Sequence, residues 1–167
     1  MRLKLDIGGG ARRNEWVVID LDRSLRPDVV ADAQFLPFQD TVADELWASH
    51  ILEHFRQESS IVILQEWNRV LKAEGKITVY VPNALEAFHR WTHGECEYEW
   101  LNIVIFGYDP DASPFMAHKC MFWRGSLRNL LNRADFVSLE YLVARGEARG
   151  TWEEFGYRGV KSRERTY

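Results

Sequence analysis

Leu3-Lys4-Leu5-Asp6-Ile7-Gly8-Gly9-Gly10 reads as a strand running into a glycine turn. Leu3, Leu5 and Ile7 alternate with Lys4 and Asp6, the period of a half-buried strand. Glycines at its end permit positive φ and let the backbone approach a ligand with no Cβ in the way. In open α/β sheets, ligands bind beyond the carboxyl ends of the strands. Asp20 closes the next β-rich run and has the chemistry to accept hydrogen bonds from both hydroxyls of a ribose. The same residues also read as a plain glycine turn followed by a solvated acid, and taken alone they leave both readings open. Two phosphate motifs are excluded. Arg13 stands where G-x-G-x-x-G needs its last glycine, and no G-x-x-x-x-G-K-[ST] occurs.

Outward from this stretch, further short strands are expected at Trp16–Ile19, Val29–Ala31, Glu45–Ser49 and Ile77–Val81. Between the last two, Ile63, Leu64, Trp67, Val70 and Leu71 form one apolar stripe, which predicts a helix from about Gln57 to Lys72 ended by Gly75. A helix is also expected over Asn83–Thr92, and another from an N-cap at Ser126 to about Ala134. Phe136–Val143 reads as a strand, and residues 145–167 as either a last edge strand with a tail or a partly disordered stretch. This alternation is the signature of an α/β sheet. The first two connections are too short for the helical crossovers that parallel strands usually require. One sheet face is therefore expected to carry helices and the other to be poorly covered, open to solvent, a long loop or a second copy in a homodimer. Trp16 and Trp47 are candidates for that face.

The 167 residues suit one domain, with an aromatic-rich insert over about 84–124. Apolar residues make up 46% and charged residues 28%, which excludes wholesale disorder. A net charge of −4 argues against a general nucleic-acid binder. Cys96 and Cys120 make neither a disulfide framework nor a metal pair, and read as reduced thiols. No apolar run is long enough to span a bilayer, and the first residues are no signal peptide. A cytoplasmic protein is expected.

Several ordered segments resemble the class I S-adenosylmethionine (SAM)-dependent methyltransferase family, in a compact type-11-like form without N-terminal helices. Asp6-x-Gly8-x-Gly10 resembles its first motif. Ala31-Asp32-Ala33-Gln34-Phe35-Leu36-Pro37-Phe38 is similar to its D-A-x-x-L-P-F segment, and His50-Ile51-Leu52-Glu53-His54 to its H-x-L-E-H segment. Glu66-Trp67-x-Arg69-Val70-Leu71-Lys72 with Gly75 resembles E-W-x-R-V-L-K-P-G-G, and Val81-Pro82-Asn83 the end of strand five. The resemblance implies a Rossmann-like, mostly parallel sheet. It implies Gly8, Gly9 and Gly10 against the amino-acid part of SAM, and Asp6 near its ammonium. Asp20 falls at the ribose, Asp32 and Ala33 at the adenine, and Ser49 and His50 at the methionine end. The implied reaction is methyl transfer to an oxygen or nitrogen of a small molecule or glycan, leaving S-adenosylhomocysteine. Arg12 stands in place of a third motif glycine, and Ala73-Glu74 in place of Pro-Gly. The rival reading is a non-catalytic SAM-binding or scaffold protein on the same fold.

His50-Ile51-Leu52-Glu53-His54 also spells H-x-x-E-H, a zinc-peptidase pattern when it lies on a helix. Here it follows a strand-like run, so no metal site is expected. His50 is the better candidate at the cofactor, with Glu53 and His54 satisfying loop backbone. His118 is a candidate acid/base group or a structural histidine. His89 and His93 read as a polar helix face. Trp91, Tyr98, Trp100, Phe106, Tyr108, Phe115 and Trp123 either wall an acceptor cleft or fill the core.

Overall fold

A computed structural model describes residues 2–9, 14–108, 116–145 and 153–163. Seven strands form one sheet: β1 (Lys4–Ile7), β2 (Val17–Asp20), β3 (Val29–Val30), β4 (Ala43–Ser49), β5 (Leu71–Pro82), β6 (Phe136–Arg145) and β7 (Glu153–Lys161). Their order is β3-β2-β1-β4-β5-β7-β6. The first five pair in parallel, and β7 runs antiparallel between β5 and β6. The described helices are α1 (Gln57–Val70), α2 (Ala84–Thr92), α3 (Tyr98–Phe106) and α4 (Arg124–Arg133). None of them is long and apolar enough to cross a membrane.

Alternation along the strands makes two different sheet faces. Leu5, Leu46 and Ile77 lie in register on one face, and Ile7, Ala48, Val79 and Tyr157 form its next row. These buried residues join Ile63, Leu64, Trp67 and Val70 of α1 and Leu127 and Leu131 of α4 in the main core. The other face carries Lys4, Glu45 and Lys76 in one row and Asp6, Trp47, Thr78, Arg158 and Glu140 in the next. Lys4 pairs with Glu45 at 3.8 Å and lies over the ring of Trp16, and Trp47 packs on Tyr80 with ring centroids 5.2 Å apart. No apolar cluster forms over this face among the described residues. The main apolar core thus lies on one face, and Trp47 lies on the other, where Asp6, Val18 and Thr78 are also buried.

Several local expectations need correction. Gly75 does not end α1. The helix stops at Val70, Leu71 turns extended, and the left-handed residue of the following turn is Glu74 (φ 61°). Ser126 is not the N-cap of α4. Trp123 holds that position, and Ser126 Oγ in the first turn accepts its N–H at 3.0 Å. The last strand is not at an edge, because β7 inserts between β5 and β6 and leaves β6 outermost. α3 was not expected. Tyr98-Glu99-Trp100-Leu101-Asn102-Ile103-Val104-Ile105-Phe106 is apolar almost all round, so no 3.6-residue period marks it. It pairs with α2 through Ala84, Ala87, Leu101, Val104 and Ile105 in a second, separate cluster.

α1 also clamps the segment that follows β3. Trp67, fully buried, donates its indole N–H to the Ala33 carbonyl at 2.9 Å. Glu66 accepts the Leu36 N–H at 2.8 Å, and Arg69 reaches the carbonyls of Leu36 and Phe38 and both carboxylates of Glu66 and Asp40. Removing the indole creates a large cavity and orphans a carbonyl. Trp67→Ala is expected to cost about 3–5 kcal/mol of stability, read from urea unfolding midpoints.

Candidate active site

The carboxyl ends of the parallel strands converge on an open cavity of about 560 Å³, within the size range of small-ligand clefts. Gly8, Asp20, Asp32, Ala33, Ser49 and His50 all line it. Each comes from the residue ending a strand or from the turn just after one.

Gly8 has φ +69°, and its amide donates to the Ile19 carbonyl at 2.7 Å, locking the turn to β2. A Cβ there would strike the side chain of Ile51. A Cβ on Gly9 would come within 2.8 Å of the Asp6 carboxylate. Asp6 is 3% exposed and sits beneath the turn, and neither it nor Gly9 lines the cavity. Gly10 lies outside the described residues.

Asp20 caps its own turn by accepting the Asp22 N–H on Oδ1 at 2.9 Å, which leaves Oδ2 for a ligand. Asp32 likewise accepts the Gln34 N–H at 2.9 Å. The Ala33 carbonyl is turned away to Trp67. Gln34, His54, Met116 and Lys119 also line the cavity, and sequence reasoning did not assign them to it. Lys119 is tied in through its own amide, which donates to the Glu53 carbonyl at 2.7 Å.

His50, the residue just after β4, is in the left-handed region (φ 57°). Its Nδ1 stands 3.0 Å from Glu53 Oε1 and its Nε2 2.9 Å from Glu154 Oε1. Burial opposes the imidazolium charge, but the bonds to Glu154 and Glu53 outweigh it and push the pKa up to about 10. Glu53 is 1% exposed, and apart from that ion pair neither of its carboxylate oxygens receives a hydrogen bond.

The H-x-x-E-H stretch is not on an α-helix. Leu52–His54 is a single 3-10 turn, which separates His50 from His54. His54 instead faces His118, with ring centroids 5.1 Å apart. His118 does not line the cavity but lies behind His54, with Nδ1 3.0 Å from the Val104 carbonyl. Burial holds its pKa below the usual histidine value. Cys120 is pushed up to about 11, by burial and then by the charge of Glu53, so its thiol stays protonated. His89 and His93 stack on the exposed end of α2, far from this cluster in sequence. None of the described aromatics named for the insert lines the cavity. Trp91, Tyr98, Phe106, Tyr108 and Trp123 are 42–62% exposed, Trp100 packs on the second cluster, and Phe115 lies outside the described residues.

Residues 11–79 match a methyltransferase-domain family model. No curated protein matches the chain in sequence. Among solved structures, a SAM-dependent methyltransferase from Methanosarcina mazei is similar with a TM-score of 0.72 and 20% identity, over 96% of this chain and 92% of that one. The complex between the Haloferax volcanii Trm112 methyltransferase activator and the putative methyltransferase is similar at 0.67 and 13%, over 99% and 84%. The phosphoethanolamine N-methyltransferase 2 of Haemonchus contortus, in complex with SAM, is similar at 0.63 and 12%, over 97% of this chain and 49% of that one. These are likenesses of fold. With the strand order, they show that the chain has the fold of class I SAM-dependent methyltransferases, and the matched segment is similar to a methyltransferase domain.

Proposed function

We propose that the cavity binds SAM and that the protein transfers its methyl group to an oxygen or nitrogen of a small molecule or glycan. The observation that carries this is one cavity lined by acids and small residues at the ends of successive parallel strands. Its residues fit the cofactor. Asp20 Oδ2 takes the ribose hydroxyls, and Asp32 and Ala33 hold the adenine edge. Ser49 and His50 lie at the methionine end, and Gly8 lets the turn pass close to it. Asp6, buried under Gly9, acts through the turn and supports the ammonium end.

When bound, SAM supplies a sulfonium-activated methyl group, so alignment of the acceptor supplies much of the rate. His50 holds a proton on each ring nitrogen between two carboxylates and so is poorly placed to accept another. Its role is to position the turn after β4 and the ligand against it. His118 is set back from the cavity wall and acts through His54.

Two outcomes test this reading. Asp20→Ala is expected to weaken SAM and S-adenosylhomocysteine binding by about 1–3 kcal/mol in calorimetry, the cost of unpaired ribose hydroxyls. Unchanged affinity would remove Asp20 from the site, and a protein that binds both but methylates no acceptor would be a binder only. The second concerns pH. The His50 pKa is raised from about 6.5 to about 10 on folding, so the native state binds the extra proton between these values. Its contribution to stability is complete below about pH 6.5 and is lost as pH rises toward about 10. Urea midpoints of the wild type should fall across that window, and His50→Gln should flatten the fall.

A further inference from the structure

The H-x-x-E-H stretch leaves an unexplained group. Glu53 is buried to 1% exposure, and its carboxylate is paired with His50 alone, leaving Oε2 with no hydrogen-bond donor. A buried carboxylate that is paired on one side only is costly. Ligand-capable atoms of Glu53, His54 and His118 lie within 4.8 Å of one another. Three ligands of one tetrahedral ion stand roughly 3.4 Å apart at ordinary zinc bond lengths, so side-chain rotations suffice to close the set.

The two imidazoles are already oriented. His54 Nδ1 is 3.1 Å from the Ala117 carbonyl, and His118 Nδ1 is 3.0 Å from the Val104 carbonyl. A carbonyl can only accept, so each Nδ1 carries its proton and each Nε2 keeps a lone pair. A backbone carbonyl on the far nitrogen is the usual support of a metal-ligating histidine. The backbone holds the parts together as well. The amides of Lys119 and Cys120 both donate to the Glu53 carbonyl, and the His118 amide donates to the Phe106 carbonyl. His50 braces Glu53 from behind through the ion pair.

We propose that Glu53, His54 and His118 form a binding site for a divalent transition-metal ion, zinc(II) fitting the nitrogen and carboxylate donors best. Three protein ligands leave a coordination position open. His54 lines the cavity, so that position is reached from the cavity side. There the ion would bind an oxygen or nitrogen of the methyl acceptor, a role that rests on the methyl-transfer reading, whereas the metal site does not.

The test uses the full chain, treated with chelator and dialysed, then titrated with zinc chloride by calorimetry and with cobalt(II) by visible absorption. About one equivalent is expected to bind with a rise in melting temperature, and cobalt should show the bands of a low-coordinate nitrogen–oxygen site. His54→Gln and His118→Gln should each weaken binding tenfold or more, with folding checked by circular dichroism. The His89→Gln/His93→Gln double variant should bind as the wild type does. Absence of binding, or binding lost only with the His89/His93 change, overturns the site. S-Adenosylhomocysteine titrated into the chelated protein reports the cofactor cleft separately, so failure of one reading does not mask failure of the other.

Discussion

Five strands point the same way, and that common direction puts Ile7, Asp20, Val30, Ser49 and Pro82 at one edge of the sheet. Gly8, Asp20, Asp32, Ala33, Ser49 and His50 reach the cavity because each lies at or just beyond one of those ends. Parallel neighbours need a return path, and the return from β2 to β3 carries no α-helix. It is possible because the strands it serves are so short. β1 and β2 have four residues each and β3 has two, so the chain has to travel back only about 13 Å. The connection from β2 to β3 manages it with a 3-10 turn capped by Asp22 and a left-handed Arg26. Asp28 then reaches back to the Val18 amide at 3.0 Å. On the face away from α1, no apolar cluster forms among the described residues. A row of alternating charge and a Trp–Tyr pair stand where a helix-covered sheet would carry aliphatic side chains.

The ordered motifs that first suggested the family are parts of one physical unit. Glu66, Trp67 and Arg69 lie on α1, about thirty residues after the Ala31–Phe38 segment, and they hold that segment by its backbone. The Arg69 guanidinium beside Glu66 keeps that carboxyl below its usual range, so the clamp is charge-assisted. Asp32 and Ala33 reach the cavity wall because α1 fixes the chain on either side of them.

Strands and α1 were legible because their periods are strong and local. Asp20, Asp32, Ala33, Ser49 and His50 were legible as ends of those strands. What escaped notice was set by distant packing. β7 reads as a terminal strand, and nothing local tells it to enter between β5 and β6. Gly75 and Ser126 carry the right residue types for helix ends, but tertiary context moved the left-handed turn to Glu74 and the cap to Trp123. The pairing of His54 with His118 joins residues 64 positions apart, beside the isolated bridge between Gly107 and Ala117. The H-x-x-E-H pattern presumes a helix, whereas the 3-10 turn over Leu52–His54 separates its two histidines.

The glycine turn explains less about ligand binding than its sequence suggests. Ile51 fills the space above Gly8, and the Asp6 carboxylate fills the space beside Gly9. Both glycines would be needed for the fold with no cofactor present, since a side chain at either position collides with the protein itself, and Gly8 also needs its positive φ. The turn is nonetheless built so that its backbone faces the cavity with Asp6 locked below it. The weight of the cofactor reading therefore falls on Asp20. Its carboxylate spends one oxygen on its own turn and holds the other free at the wall of the cavity. The turn shapes the cleft, and the acids give it a preference among ligands.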